Sequence, residues 1–272
     1  MTEAELRNAI RRLGLAGRPV CVHASLRSFG RVEGSARSVV DAFLAEGCTL
    51  LVPTFSGAAF EVWPDPPDVI ERNGWPPANP ASPRPVPTRI FTPDINDIDA
   101  DMGAIPAAVL ATPGRVRGAH PLDSFAAIGP LAHALVAGQD AHHPHAPLEA
   151  LAAAGGAVVL MGVGLERMTL LHLAEHRAGR AMFVRWAAGP AGEIVRVRVG
   201  GCSEGFPRLA AVLAPIGVEA MVGASRWRIF PAAEALDAAA DAIRADPAIT
   251  HCGDPACERC NDAVRGGPLL DG

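Results

Sequence analysis

Short apolar runs separated by helical patterns are the feature that most constrains the fold of this chain. The runs at 19–23 and 49–53 are rich in Val, Leu and Cys, and the segment 35–46 between them has helical periodicity. A third run, at 157–161, is followed by a helical segment at 168–178. Buried strands that alternate with helices are typical of α/β proteins with a largely parallel sheet. We therefore expect an α/β fold.

A proline-rich segment at 63–93 interrupts this alternation. Proline has no backbone N–H and fits poorly into helix interiors or central strands. An irregular segment of this length inside a compact domain usually has a function, such as forming a lid or a wall of the substrate site. Because the chain shows no internal repeat, we interpret residues 1–272 as a single domain that carries 63–93 as an irregular insertion.

Composition and charge exclude several classes of function. All 24 basic residues are arginines, and without lysine the chain cannot use Schiff-base chemistry, a P-loop lysine or a Ser-Lys dyad. The net charge is −5 and no basic stripe with interleaved aromatic residues is present, so we expect no nucleic-acid partner. The longest apolar stretches contain glycines and are shorter than a membrane span. The sequence therefore predicts a cytoplasmic protein without a membrane partner.

The run from Leu160 to His176 passes from a buried strand through a glycine-containing turn into a helix. On that helix, Thr169, His172 and Glu175 share one face near its amino-terminal end. A histidine beside a carboxylate is oriented and made more basic, as a general base requires. Backbone N–H groups at the helix start can bind an oxyanion. These residues alone predict either a catalytic histidine or a histidine hydrogen-bonded within a helix interface.

The same helix also matches the pattern HxxEH of inverted zinc proteases, at residues 172–176. In that pattern, two helical histidines bind zinc and the glutamate activates water. It also needs a downstream acidic ligand on a helix of its own, and the downstream glutamates here have no distinctive context. A zinc peptidase is therefore a remote alternative.

Two upstream runs add to the helix pattern. Residues 22–30 read VHASLRSFG and residues 117–129 read RGAHPLDSFAAIG. Together with the glycines at 162 and 164 and the helix residues, they resemble the aminoglycoside 3-N-acetyltransferase family, which is distinct from the GNAT acetyltransferases. The resemblance extends from about residue 20 to 178. It implies a three-layer α/β/α fold around a mixed sheet with an appended helical part. It also implies acetyl-CoA-dependent acetylation of the 3-amino group of an aminoglycoside, which confers antibiotic resistance.

The resemblance also implies which residues bind acetyl-CoA: Ser25, Leu26, Arg27, Arg31, His120, Ser124 and Phe125. The first three follow the first strand, where backbone N–H groups, a hydroxyl and a guanidinium can hold the CoA diphosphate. Arg31 is a further candidate for phosphate binding. The last three are expected to line the channel for the pantetheine and the thioester.

The implied mechanism is direct transfer in a ternary complex. His172 removes a proton from the attacking amine, Glu175 orients His172, and Thr169 with nearby N–H groups stabilises the oxyanion. Among the acids beside the proline-rich segment, Glu61 and Asp94 are candidates for binding substrate ammonium groups. The substrate is thus expected to be a small-molecule amine.

Two positions depart from the family pattern. Met168 stands where members often have asparagine, and Ala107 replaces a usual glutamate. These differences concern the acceptor more than the cofactor. They leave open the alternative that the protein acetylates another amine in metabolite biosynthesis.

The C-terminal run 251–260, HCGDPACERC, is a separate signal. Cys257 and Cys260 form a CxxC pair of the kind found in structural zinc sites. His251 or Cys252 can supply a third ligand and Cys202 a fourth, and the resemblance favours His251 with Cys202. We expect a structural zinc ion, and the alternative is a set of reduced thiols without a metal. The sequence is compatible with a monomer or a homodimer.

Overall fold

A mixed seven-stranded sheet forms the centre of the protein, for which a computed structural model describes residues 1–64, 68–74, 90–189 and 191–270. In chain order, the elements are α1 (Glu3–Arg12), β1 (Pro19–Ala24), α2 (Ser35–Ala45), β2 (Thr49–Pro53), α3 (Gly57–Phe60), β3 (Glu61–Val62), α4 (Ala104–Leu110), β4 (Val116–Arg117), β5 (Phe125–Ile128), α5 (Ala132–Val136), α6 (Ala146–Ala153), β6 (Ala157–Met161), α7 (Leu170–Arg177), β7 (Phe183–Ala188), β8 (Ile194–Val199), α8 (Ala210–Leu213), β9 (Val218–Val222), β10 (Ser225–Pro231), α9 (Ala232–Ala245) and α10 (Glu258–Val264).

The strands of the main sheet lie in the order β4-β5-β2-β1-β6-β10-β9. The central strands β2, β1 and β6 are parallel, and Val20 of β1 pairs with Leu50 on one side and Ala157 on the other. The outer pairings are antiparallel. Every residue of β2 and β6 is buried. Strands that are covered on both faces read as continuous apolar runs, which is why the sequence signal was clear.

Helices cover both faces of this sheet. Successive residues of a strand point to opposite faces, so Cys21 packs in the core formed with α5, α6, α7 and α9. Its neighbours Val20 and Val22 pack in the core formed with α1, α2 and α4. The predicted three-layer α/β/α arrangement is thereby confirmed. Among the described residues, no helix is long and apolar enough to span a bilayer.

The part outside these layers differs from the expected helical appendage, because it contains a second sheet. Strands β3, β7 and β8 form this sheet, with both pairings antiparallel. The described ends of the proline-rich segment pack against it: Asn73 exchanges hydrogen bonds with the Val184 backbone at 3.0 and 2.8 Å. Residues 65–67 and 75–89, the centre of the predicted irregular insertion, lie outside the described residues.

Local signals placed several helix boundaries correctly. The capping box predicted at the start of α1 is present, since Thr2 N–H donates to Glu5 Oε2 at 2.8 Å and Glu5 N–H donates to Thr2 Oγ1 at 3.2 Å. Helix α7 begins at Leu170, two residues later than expected, because a short 3₁₀ turn occupies Leu165–Arg167. That turn carries the chain from the end of β6 to the helix.

Trp227 on β10 is the largest fully buried side chain of the core, and it tests how much this packing contributes to stability. Its ring stacks on Phe43 at 6.2 Å and meets Phe29 edge-on at 6.0 Å. We expect Trp227→Ala to lower the free energy of unfolding by about 3–5 kcal/mol, measured by urea denaturation.

Trp227→Phe is the matched control for that substitution. Among the described residues, Trp227 Nε1 has no hydrogen-bond partner, so the phenylalanine loses volume but no hydrogen bond. We expect a loss of about 1–2 kcal/mol. A loss as large as that of the alanine variant would show that a phenyl ring does not replace the packing of the indole against Phe43 and Phe29.

Candidate functional site

A cavity of about 1210 Å³ lies at the carboxyl ends of the parallel strands. Its walls include Ser25 after β1, Phe55 after β2 and Val163 after β6, together with His172 on α7. Parallel strands direct their carboxyl ends to the same edge of the sheet, where ligands bind in open α/β folds. The topology thus places the segments that follow β1, β2 and β6, together with helix α7, around one cavity.

His172 and Glu175 form the hydrogen-bonded pair that the helical spacing predicted. His172 Nδ1 lies 2.9 Å from Glu175 Oε2, and the two side chains are 12% and 11% exposed. An ionised carboxylate only accepts hydrogen bonds, so Nδ1 carries the proton of the neutral ring. Nε2 is then the basic nitrogen of a histidine that lines the cavity.

The Glu175 carboxylate is itself held by two other side chains. Its Oε1 accepts hydrogen bonds from Arg180 Nη1 and from Thr250 Oγ1, the latter at 3.1 Å. Arg180 Nη1 also donates to Thr250 Oγ1 at 2.7 Å. Glu175, Arg180 and Thr250 are all buried, so the carboxylate is fixed in one orientation by partners that are themselves fixed.

Ring and backbone contacts fix the plane of the His172 ring. Phe206 meets it edge-on at 4.7 Å, and His145 stacks on it at 6.1 Å. A Cβ added to Gly200 would lie 2.8 Å from His172 Cδ2, so the backbone there approaches the ring as only glycine allows. Burial and the neighbouring His172 hold the pKa of His145 well below its usual value. His145 is therefore an uncharged side chain stacked beside the His172–Glu175 pair.

The cofactor residues predicted after β1 line the cavity. Ser25, Leu26 and Arg27 are all part of its wall. Ser25 makes no side-chain capping bond to the 3₁₀ helix that follows, and the exposed Arg27 has no ion-pair partner in the described part of the chain. A free hydroxyl and a free guanidinium fit a diphosphate. Arg31 does not line the cavity; it is exposed, and its carbonyl accepts a hydrogen bond from the Met1 ammonium at 2.6 Å.

The other three predicted cofactor residues lie beneath the cavity wall and not in it. His120, Ser124 and Phe125 are each fully buried. His120 Nδ1 accepts hydrogen bonds from the N–H groups of Leu122 and Asp123 at 3.1 and 2.8 Å. His120 Nε2 lies 2.7 Å from the Arg198 carbonyl. Their side chains are therefore not part of the cavity wall, and His120 holds the loop that presents Leu122 and Asp123 to the cavity. Their assignment to the thioester channel stays a prediction.

Of the two acids predicted to bind the substrate, one lines the cavity and the other does not. Glu61 lines the cavity, with Oε1 3.7 Å from Arg185 Nε. Asp94 is exposed and outside the wall, and its carbonyl accepts a hydrogen bond from Arg115 Nη2 at 2.6 Å. Three further charged residues that were not predicted also line the cavity: Arg185, Asp99 and Asp123. Of these three residues, only Asp123 could have been found from the sequence. It lies in the run 117–129, from which its neighbours His120 and Ser124 were predicted to bind the cofactor.

Comparison with known proteins agrees with the geometry. The sequence model of the family described as aminoglycoside 3-N-acetyltransferase matches residues 21–244. The chain belongs to this family. It is 37% identical over 185 residues to aminoglycoside N(3)-acetyltransferase VIII of Streptomyces fradiae, covering 65% of this chain and 62% of the relative. It is 35% identical over 188 residues to aminoglycoside N(3)-acetyltransferase IX of Micromonospora chalcea, covering 64% of this chain and 62% of the relative. The aligned region thus spans less than two thirds of these relatives.

Solved structures of the same family align over more of the chain. The apoenzyme of aminoglycoside acetyltransferase AAC(3)-IVa is 26% identical, with a TM-score of 0.76 and coverage of 97% of both chains. A mutant of that enzyme in complex with a gentamicin has the same identity and coverage and a TM-score of 0.77. The fold described above is therefore that of the aminoglycoside 3-N-acetyltransferases over nearly its whole length.

The HxxEH pattern forms a different network from a zinc site. His176 is exposed, and its Nδ1 lies 3.1 Å from the Arg180 carbonyl. The Glu175 oxygens are occupied by His172, Arg180 and Thr250. The group able to hold a metal in the described ranges lies elsewhere.

That group consists of four cysteines near the carboxyl terminus. The Sγ atoms of Cys202, Cys252, Cys257 and Cys260 all lie within 4.8 Å of one another. Three of them are as predicted, but Cys252 takes the place expected for His251. The ring of His251 is occupied, since Nε2 lies 3.1 Å from Asn261 Oδ1 and Nδ1 accepts the Gly253 N–H at 2.9 Å.

Buried histidines give the fold a defined pH dependence. Burial lowers the pKa of both His23 and His120 to about 4. In the unfolded chain, histidine titrates at about 6.5. Between these values the unfolded state binds more protons than the folded state. The free energy of unfolding therefore decreases as the pH falls from about 6.5 to 4.

His120→Asn tests this dependence. The variant is expected to lose less stability than the wild type between pH 7 and pH 5, by about 1–2 kcal/mol in urea denaturation, because one titrating group is gone. His133→Asn, at an exposed position on α5, is the control and should follow the wild type. The raised pKa of Asp123 acts in the opposite direction in every variant and cancels in the comparison. Equal losses in all three proteins would contradict the assignment of His120 as a buried neutral histidine.

Proposed function

We propose that this protein is an acetyl-CoA-dependent N-acetyltransferase that acetylates the 3-amino group of an aminoglycoside antibiotic, with His172 as general base. The observation that carries the proposal is the His172–Glu175 pair, which presents a basic nitrogen at the wall of a large cavity. The substrate class is supported by the relatives, whose names include aminoglycoside N(3)-acetyltransferases VIII and IX. A mutant of AAC(3)-IVa has also been solved in complexes with a gentamicin and with apramycin.

The cosubstrate side is supported by the loop after β1. Ser25, Leu26 and Arg27 would hold acetyl-CoA through a hydroxyl, backbone N–H groups and a guanidinium directed at the diphosphate. Acetyl-CoA supplies the acetyl group as an activated thioester. The cavity has room for a second molecule beside it, as direct transfer in a ternary complex requires.

The proton transfers follow from the hydrogen bonds of His172. Nε2 takes the proton from the amine as its nitrogen bonds to the thioester carbonyl carbon, and Glu175 Oε2 stabilises the resulting imidazolium through Nδ1. The C–S bond then breaks, and the imidazolium gives its proton to the departing thiolate, which leaves as free CoA thiol. Arg180 and Thr250 keep Glu175 in place while the charge forms. Because these charged and polar groups are already in place, they do not have to rearrange as the charge develops. Such preorganisation is the main source of electrostatic catalysis.

Thr169 is placed to act at the start of α7. Its side chain lines the cavity and makes no capping hydrogen bond to the helix, so the hydroxyl is available as a donor. Backbone N–H groups at a helix start carry partial positive charge. We propose that the Thr169 hydroxyl and these N–H groups stabilise the oxyanion that develops on the thioester carbonyl.

His172→Ala tests the catalytic assignment. We expect kcat for acetyl transfer to fall about 10²–10⁴-fold, since general base catalysis contributes on that scale. Glu175→Gln should give a smaller loss, because the amide still accepts a hydrogen bond but does not stabilise a charge. The assay is thiol release from acetyl-CoA with gentamicin, apramycin and other amines as acceptors. Retained CoA binding by His172→Ala, measured by calorimetry, would separate loss of chemistry from loss of the fold.

His176→Gln is the matched control, because it lies one turn further along the same helix and outside the proposed mechanism. It should leave acetyl transfer unchanged. Unchanged transfer by His172→Ala would refute the role of His172. Thiol release with other amines but with no aminoglycoside would favour an acceptor from metabolite biosynthesis. Peptide hydrolysis that needs both histidines would favour the zinc peptidase.

We propose further that the four cysteines hold one structural zinc ion. A tetrahedral Cys₄ site with Zn–S bonds of about 2.3 Å has sulfur atoms about 3.8 Å apart. The observed grouping of four Sγ atoms within 4.8 Å of one another fits such a site after small side-chain movements. None of the six cysteines is in a disulfide, which fits a reducing compartment such as the cytoplasm.

The comparison of Cys252→Ser with His251→Ala tests both the metal and its ligands. Purified wild-type protein is expected to contain about one zinc per chain by elemental analysis. Cys252→Ser should lose the metal and unfold at a lower temperature, whereas His251→Ala should retain it. Absence of zinc from wild-type protein purified without chelators would contradict the site. Loss of zinc from His251→Ala alone would restore the ligand set expected from sequence.

A further inference from the structure

A carboxylate that the proposed mechanism does not use lies in the same cavity as His172. Asp123 is half-buried and lines the wall. Its backbone is fixed on both sides, since its N–H donates to His120 Nδ1 at 2.8 Å and its carbonyl accepts from Gln139 Nε2 at 3.0 Å. The buried loop therefore sets the position of the side chain.

The other carboxylates of the cavity wall already have partners. Glu61 lies 3.7 Å from Arg185 Nε, and Asp101 Oδ2 lies 3.7 Å from Arg167 Nη1. Asp99 Oδ1 accepts the Ala58 N–H at 3.0 Å. Glu166 Oε1 accepts the Gly164 N–H at 3.0 Å.

Like Asp99 and Glu166, Asp123 forms no salt bridge within the described ranges. The Gly200 N–H is near enough to lower the pKa of its carboxyl. Burial raises the pKa of Asp123 to about 6, and the Gly200 N–H and the charges of His172 and Arg185 oppose that rise. Removing part of a carboxylate from water without a paired cation costs free energy, so a cationic ligand would gain by binding it.

Asp123 is also close to the reacting position. The Gly200 N–H lies near the Asp123 carboxylate, and a Cβ added to Gly200 would lie 2.8 Å from His172 Cδ2. An acceptor that places one nitrogen at His172 Nε2 therefore has Asp123 within reach of a neighbouring group.

We propose that Asp123 binds a second ammonium group of the acceptor and thereby positions the reacting amine at His172. This inference rests on the proposed acetyl transfer. A carboxylate bound to the reacting nitrogen would stabilise its protonated form and oppose the base. A carboxylate bound to a second ammonium orients the acceptor without that penalty. Asp123 thus makes the site selective for acceptors with at least two amino groups.

Asp123→Asn is the test, because it removes the charge and keeps the backbone hydrogen bonds. With acetyl-CoA and gentamicin, we expect KM for gentamicin to rise about 10- to 100-fold, the scale of a hydrogen bond to a charged group. The values of kcat and of KM for acetyl-CoA should change less than about threefold, since the lost interaction is uniform binding. Asp241→Asn, at an exposed position on α9, should match the wild type. Asp123→Ser should show the same rise if the asparagine variant folds poorly.

Two kinetic results would overturn the inference: an unchanged KM for gentamicin, or a lower kcat at unchanged KM. Calorimetric titration of gentamicin into the wild type and Asp123→Asn, without acetyl-CoA, separates the inference from the proposed function. Wild-type binding without thiol release would contradict the proposed function, and weaker binding by Asp123→Asn would still support the inference. Equal Kd values would overturn it, and a wild type that neither binds nor acetylates would contradict both.

Discussion

The hydrogen bonds to the Glu175 carboxylate are the interaction on which the site depends. This one side chain joins helix α7, through His172, to the turn after the helix, through Arg180, and to the C-terminal segment, through Thr250. Bonds to charged groups contribute about 1.5–3 kcal/mol each, and a buried Arg180 without its partner would cost more than the bond is worth. The carboxylate therefore both orients His172 and connects parts of the fold.

The C-terminal cysteines lie close to that connection. Thr250 precedes Cys252 by two residues, and Cys202 follows Gly200 by two residues. Gly200 contacts the His172 ring, and Thr250 holds its partner Glu175. From the sequence, the cysteine motif and helix α7 were separate features. In the fold, the cysteines come from two chain segments, one of which approaches His172 and the other its partner Glu175.

Much of the fold could be predicted because its signals are local. The strands at 19–23, 49–53 and 157–161 are continuous apolar runs, since helices cover both faces of the sheet. The pairing of His172 with Glu175 follows from a spacing of three on a helix. The second sheet was not predicted, because β3 has two residues and its pairing with β7 joins segments more than a hundred positions apart.

The missed site residues share a different cause. The backbone of a loop has no fixed periodicity, so the sequence does not say which of its side chains meet the cavity. His120, Ser124 and Phe125 were expected in the wall, but the fold buries them and exposes Asp123 between them. For the same reason, His251 was expected as the metal ligand where the structure places the adjacent Cys252. In both places, the error was one or a few positions and the predicted region was correct.

The fixed loop around Asp123 has a consequence for how such a protein can diversify. His120 and Gln139 hold this loop through its backbone, so the side chain at 123 is free to change without loss of the hydrogen bonds that shape the loop. Ser25, Leu26 and Arg27 belong to a different loop, the one that follows β1. If the proposed roles of the two loops hold, acceptor choice and donor binding can change independently, each by substitutions in its own loop on an unchanged framework.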